Sequence, residues 1–116
     1  MSRLMSVTLT EQAVVERRKT VTRRLGWVFL KPGDRLTLCR KVMGRKKGDP
    51  LVRLAEVEVV RVNRERLDDI CELDVEREGF VGVSTWDFIG FFMEHMDCTE
   101  GTEVTRIEWR YLDAHG

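Results

Sequence analysis

Five cations and two hydroxyls fall within the eight residues Arg17-Arg18-Lys19-Thr20-Val21-Thr22-Arg23-Arg24. Arginine presents a rigid fork of donors suited to phosphate, lysine a point charge, and threonine a hydroxyl that can donate or act as a nucleophile. The same run, read only for architecture, is a solvated basic strand edge that discourages edge-to-edge pairing. A second basic group, Arg40, Lys41, Arg45, Lys46 and Lys47, surrounds a polar loop and is a candidate for phosphate contacts, or else a solvated hairpin tip. Trp27 and Trp86 could stack on bases, although core or rim packing is the more common use of each Trp, and Trp109 lies in an alternating pattern that favours the core.

Charge is divided along the chain. Residues 1–64 hold 16 Lys and Arg against 6 Asp and Glu, and residues 65–116 hold 4 against 14, so a net charge of zero hides a basic half. That split predicts one positive surface formed by Arg17, Arg23 or Arg24 together with Lys46 and Lys47, unless the halves interleave and neutralise each other. Cys39, Cys71 and Cys98 are odd in number and widely spaced, as free thiols in a reducing compartment would be. His95 and Cys98 have no second pair to complete a zinc site, and no phosphate-binding glycine loop or nucleophile elbow is present, so no metal or cofactor is expected. No apolar run approaches the length of a membrane span and no signal peptide is visible, which suggests a cytoplasmic protein without a membrane partner.

These residues need elements to position them. At 116 residues the chain fits one domain. Met5, Val7 and Leu9 suggest a first strand; Thr10 is a possible N-cap for a helix over Glu11 to Arg18; Thr20 to Arg24 reads as extended. Pro32-Gly33 marks a turn, and Asp34 to Val42 resumes strand character. Leu51 to Asn63 is the longest strand, with a switch from the Ala55/Val57/Val59 face to Val60 and Val62 that suits a bulge in a barrel. Arg66 to Leu73 reads as a short helix. Ser84-Thr85-Trp86-Asp87 has capping-box form and opens a helix to about Met96, with Phe88, Phe92 and Met96 on one face. Val104 to Leu112 closes the chain as a strand in which Ile107, Trp109 and Tyr111 alternate with Arg106, Glu108 and Arg110. Interspersed strands and short helices without regular βαβ alternation indicate an α+β protein built on a small barrel.

The basic run, followed by Leu30-Lys31-Pro32-Gly33-Asp34, by Glu78-Gly79-Phe80 and by the closing Val104-Thr105-Arg106-Ile107-Glu108-Trp109, resembles the ordered motif set of ASCH-domain proteins over roughly the entire chain. The Lys-Thr-Val-Thr-Arg-Arg version is similar to those common in phage-encoded members, which would place the protein in the host cytoplasm. The resemblance implies a PUA-like small β-barrel with short flanking helices, and a cleft that handles RNA, DNA or a modified nucleoside. Arg17, Arg18, Arg23, Arg24, Arg45, Lys46 and Lys47 are then the nucleic-acid contacts. Some small bacterial members are amidohydrolases that deacylate acetylated cytidine, and some are reported to cut RNA. Carried over by motif, Lys19 is the base, Thr22 the nucleophile and Glu78 the proton shuttle. Neighbouring cations can lower a lysine pKa enough for that role. In a straight strand Lys19 and Thr22 would face apart, so Lys19 must lie at the helix-to-strand turn. Glu78 competes with Glu72, Asp74 and Glu76. Arg17 stands where many members have Gly, which would narrow the cleft or turn it toward polynucleotides. A third reading is an interaction module whose acidic half binds a host protein.

Overall fold

Alternating apolar residues along three strands, Leu36/Leu38, Ala55/Val57/Val59 and Ile107/Trp109, bury one face of a curled, mixed sheet. A computed structural model describes residues 2–44 and 46–112. The order of elements is β1 (Arg3–Ser6), a 3₁₀ turn (Thr8–Thr10), α1 (Glu11–Val15), β2 (Val21–Arg24), β3 (Arg35–Cys39) and β4 (Arg53–Arg66). A second 3₁₀ turn (Leu67–Asp69), α2 (Glu72–Arg77), α3 (Thr85–Met96) and β5 (Glu103–Tyr111) follow. The strands lie in the order β1-β3-β4-β5-β2, with β1 parallel to β3 and every other neighbour antiparallel. This is a five-stranded half-barrel with short helices, the small α+β architecture expected. Its two edges, β1 and β2, face each other across an open seam. The Arg24 Nη2 donates to the Ser6 carbonyl at 2.7 Å, so a side chain spans the seam where no backbone ladder does.

β4 shows how a residue pattern becomes shape. Its pairing with β5 slips between Val59 and Arg61, leaving Val60 41% exposed, and the buried face passes from Ala55, Val57 and Val59 to Val62. The irregularity lies where the parity change points, but Val60, expected on the new face with Val62, is instead the extra, exposed residue; the slip lets one strand serve both ends of the half-barrel. Two apolar clusters result. Met5, Leu36, Leu38, Val57, Ile107 and Trp109 fill the barrel, while Leu67, Val75, Phe88, Ile89, Phe92 and Val104 pack α2 and α3 against its far end.

Several boundaries differ from expectation. α1 ends at Val15 rather than Arg18, and Thr10 makes no side-chain cap. The expected helix over 66–73 is instead the end of β4, a 3₁₀ turn and then α2, because the Leu67 and Asp68 amides donate to the Thr102 and Glu100 carbonyls at 2.9 and 3.0 Å. β3 stops at Cys39, before Val42. α3 begins where the capping box predicted, with Ser84 accepting the Asp87 amide at 3.1 Å. Among the described residues no helix is long and apolar enough to cross a membrane.

Candidate functional site

The early end of α1 decides where Lys19 goes. Arg17 turns the chain with φ 64°, and the Arg18 and Lys19 amides both donate to the Ala13 carbonyl, at 2.8 and 3.2 Å. This closes the helix and leaves Lys19 in the turn before β2, as the parity argument requires. The Lys19 carbonyl then accepts from Trp109 Nε1 at 3.0 Å and from the Tyr111 hydroxyl at 2.5 Å. Burial pushes the Tyr111 pKa up, which keeps its hydroxyl a donor. With its backbone clamped, Lys19 turns its ammonium inward and shares one cleft with Thr22.

Glu78 reaches the same place from α2. Gly79 follows it with φ 107°, and a Cβ there would lie 2.8 Å from the Ala13 side chain, so α1 and α2 can approach only with glycine at this point. The Lys19 ammonium donates to the Glu78 carbonyl at 2.7 Å and to its Oε1 at 3.1 Å. Arg23 Nη1 donates to the other carboxylate oxygen, also at 3.1 Å. Burial pushes the Lys19 pKa down; Glu78 opposes that shift, and Arg24 and Arg23 reinforce it. No hydrogen bond joins Lys19 Nζ to Thr22. The Thr22 hydroxyl instead accepts from Arg24 Nε at 3.2 Å, which leaves its own proton available to a base.

Behind this pair lies a buried ionic network. Arg23 Nη2 bonds Asp74 at 2.5 Å and Glu65 at 3.0 Å. Arg106 grips both Asp74 oxygens at 2.7 and 3.1 Å, and Arg77 adds a further bond at 3.0 Å. Burial would raise the Asp74 pKa, but donors from Arg106, Arg23 and Arg77 outweigh it and hold the carboxyl far below the usual range.

Across the cleft stands an apolar wall of Phe80, Phe88, Phe91, Phe92 and Met96, with the segment Ser6–Thr10 completing the rim of a volume of about 260 Å³. Phe80 meets Phe88 and Phe91 edge-on at 5.5 and 5.4 Å. One side of the cleft can therefore take an apolar ring, and the other offers an ammonium, a carboxylate, a hydroxyl and a guanidinium.

The structure brings Lys19, Thr22 and Glu78 together, and it divides the basic run. Lys19, Arg23 and Arg24 turn into the cleft. Arg17 leans over Tyr111 at 5.0 Å and bonds the Val14 and Val15 carbonyls, outside the cleft lining. Arg18 is exposed and pairs with Glu16 at 2.6 Å. Lys46 and Lys47 are exposed on the β3–β4 loop, while Arg45 falls outside the described residues. The expected continuous positive surface is thus corrected at Arg23: it is 3% exposed, and three carboxylates occupy its guanidinium. Of the competitors for the acidic role, Glu72 and Glu76 are exposed and Asp74 belongs to the ionic network. Sequence reasoning placed Phe88, Phe92 and Met96 on one helix face but missed that this face, with Phe80 and Phe91, is a cleft wall. It also missed the Trp109/Tyr111 clamp, although both residues fall on the inward parity of β5.

Three solved structures illustrate the likeness. An Enterococcus faecalis protein described by the family model DUF984 superposes with TM-score 0.68 at 15% identity, over 100% of this chain and 84% of the other. The ASCH domain from Lactobacillus crispatus gives 0.61 at 9% identity, over 94% and 79%. ASCH from Zymomonas mobilis gives 0.61 at 14%, over 92% of this chain and 65% of that longer one. The chain has the ASCH fold. In this PUA-like architecture the cleft lies beside the first helix and between the two sheet edges. No family model matches the sequence, and no curated protein is similar enough to match it.

Proposed function

We propose that this ASCH-fold protein binds a nucleoside, free or as one nucleotide of an RNA, in the cleft between the Ser6–Thr10 segment, β2 and α3. The observation that supports the reading is the pairing of a buried Lys19–Glu78 couple and Thr22 with a facing aromatic wall. A nucleobase has an apolar π-face and a polar edge, and the cleft offers one surface to each. The inward turn of Lys19, Arg23 and Arg24 favours one enclosed nucleoside over a duplex tracked by its phosphates. Membership of the ASCH family, suggested by the motif set, is part of this proposal. Calorimetry with cytidine, acetylated cytidine, adenosine and guanosine tests it: at least one binds wild type and is lost in Phe91→Ala. Failure of all four to bind wild type would overturn it.

A second reading, amide hydrolysis on an acylated nucleoside, is favoured by the downward shift of the Lys19 pKa beside an available threonine proton. The neutral Lys19 amine takes the Thr22 proton as Oγ1 forms a bond to the acyl carbon. The carbon–nitrogen bond then breaks, the leaving amine receives the proton from the Lys19 ammonium with Glu78 as relay, and water hydrolyses the acyl-threonine ester to regenerate the hydroxyl. Because the base is the neutral amine, turnover rises with pH through the lowered Lys19 pKa. Lys19→Arg keeps the charge but cannot act as a base, and Thr22→Val deletes the hydroxyl at similar shape. Both variants should lose turnover of acetylated cytidine while retaining binding; full activity in Thr22→Val would remove the hydrolase reading.

A further inference from the structure

At the other end of the open seam lies a second recess of about 300 Å³, lined by Arg3, Phe29, Lys31, Asp34 and Arg35. Its cations differ from those around Arg23. No carboxylate pairs with Arg3, Lys31 or Arg35 among the described residues, and all three are exposed. The one acid present, Asp34, accepts the Lys31 amide at 2.9 Å and so serves the Pro-Gly turn. Phe29 is 50% exposed, the Arg3 guanidinium lies 4.4 Å from its ring centroid, and Trp27 adjoins it at 5.5 Å. Three cations with no carboxylate partner among the described residues, around the exposed Phe29 ring backed by the half-buried Trp27, fit a polyanion whose repeating unit also carries a flat ring.

Topology connects this recess to the cleft. β1 is parallel to β3, and β3, β4, β5 and β2 alternate, so β1 and β2 run in opposite directions across the seam. Ser6 on β1 and Thr22 on β2 line the cleft, whereas Arg3 and the chain leaving β2 toward Trp27 and Phe29 line or adjoin the recess. From Ser6 to Arg3 along β1 is about 10 Å at roughly 3.3 Å per residue, within the reach of neighbouring nucleotides of one strand.

The geometry points to the Arg3/Phe29/Lys31/Arg35 recess as a binding site for single-stranded nucleic acid, with a base stacked on the aromatic–guanidinium pair and backbone phosphates on Lys31 and Arg35. This goes beyond the cleft reading, because it makes the preferred ligand a strand rather than a free nucleoside. Exposed aromatics serve as stacking platforms for unpaired bases, and flexible cations gain from counterion release on meeting phosphates.

The test is fluorescence anisotropy with 5′-labelled dodecamers of uridine and of thymidine, alongside nucleoside calorimetry, on wild type, Phe29→Ala and Arg35→Ala. The dodecamer of either sugar should bind wild type more tightly than any single nucleoside, and each substitution should weaken it about tenfold. Arg35→Ala should also flatten the slope of log affinity against log salt by about 0.7, and nucleoside binding should be unchanged. Dodecamer affinity equal to wild type in both variants would overturn the inference, as would equal competition by a polyglutamate peptide. Nucleosides that fail to bind, with the dodecamer contrast intact, would refute the cleft reading and leave this one. Nucleoside binding with no dodecamer advantage would do the reverse.

Discussion

Arg23 and Arg35 are both strand arginines from the basic half of the chain, yet the fold uses them in opposite ways. Arg23 is 3% exposed and bonds Glu78, Asp74 and Glu65, all contributed from beyond residue 64, the acidic half. Arg35 stands exposed at the start of β3 with no carboxylate partner among the described residues. A buried guanidinium must be neutralised by its surroundings, and those partners in turn depend on it. An exposed one is satisfied by water and remains available. The opposed halves of the sequence are therefore partly a folding device: the acidic half brings Asp74 and Glu78 to the inward part of the basic run. What is left over, at Arg3, Lys31 and Arg35, is the surplus that a polyanion could meet.

The largest effect that would sharpen this contrast is expected from Arg23→Met. It leaves Glu78, Asp74 and Glu65 short of a partner, and breaking such a buried ionic group costs about 3–5 kcal/mol. Urea unfolding should show that loss, and a change below 1 kcal/mol would mean the network tolerates opening (an effect about the size of a surface pair). Gly79→Ala comes next. Its Cβ would meet Ala13 at 2.8 Å, and at φ 107° it is strained as well, so about 1–3 kcal/mol is expected. The useful readout is twofold, because separating α1 from α2 moves Glu78 and should reduce cleft binding more than the stability loss explains. Ser84→Ala removes the α3 cap and should cost about 1 kcal/mol without touching the polar side of the cleft. Arg35→Ala, by contrast, should leave stability within about 0.5 kcal/mol of wild type; a larger loss would mean that its exposure misrepresents its role.

Acid provides a further test of the buried side. Asp74 titrates far below an unfolded carboxyl, so its contribution to stability is complete above about pH 4 and fades as pH falls toward its folded value. Stability measured between pH 5 and pH 2 should fall more steeply in wild type than in Asp74→Asn. Identical slopes would show that other carboxylates dominate the acid limb.

Much of the scaffold was legible in the chain because it depends on local rules. The Ser84 cap with the apolar face of α3, the alternation along β5 and the bulge at Val60 all follow from spacing between near neighbours. The helix ends were less legible. α1 was overextended because Arg17 adopts φ 64° in a conformation supported by contacts with Val14, Val15 and Tyr111, and only the last of these is distant in sequence.

The sequence by itself determined that the basic run, the Pro-Gly turn and Glu78-Gly79-Phe80 stand in the order of the ASCH motif set. It also required Lys19 to lie in a turn if it was to share a side with Thr22. Only the tertiary structure decided which cations face inward, because a charge's fate depends on whether a carboxylate from a remote element arrives within bonding distance. It alone joined Phe80 to Phe91 as a wall, and it alone placed Trp109 and Tyr111 on the Lys19 carbonyl, 90 and 92 residues away in the chain. Local spacing reports a residue's face; burial and pairing are properties of the assembled sheet and helices, and they determine whether a positive charge is a structural member or a site.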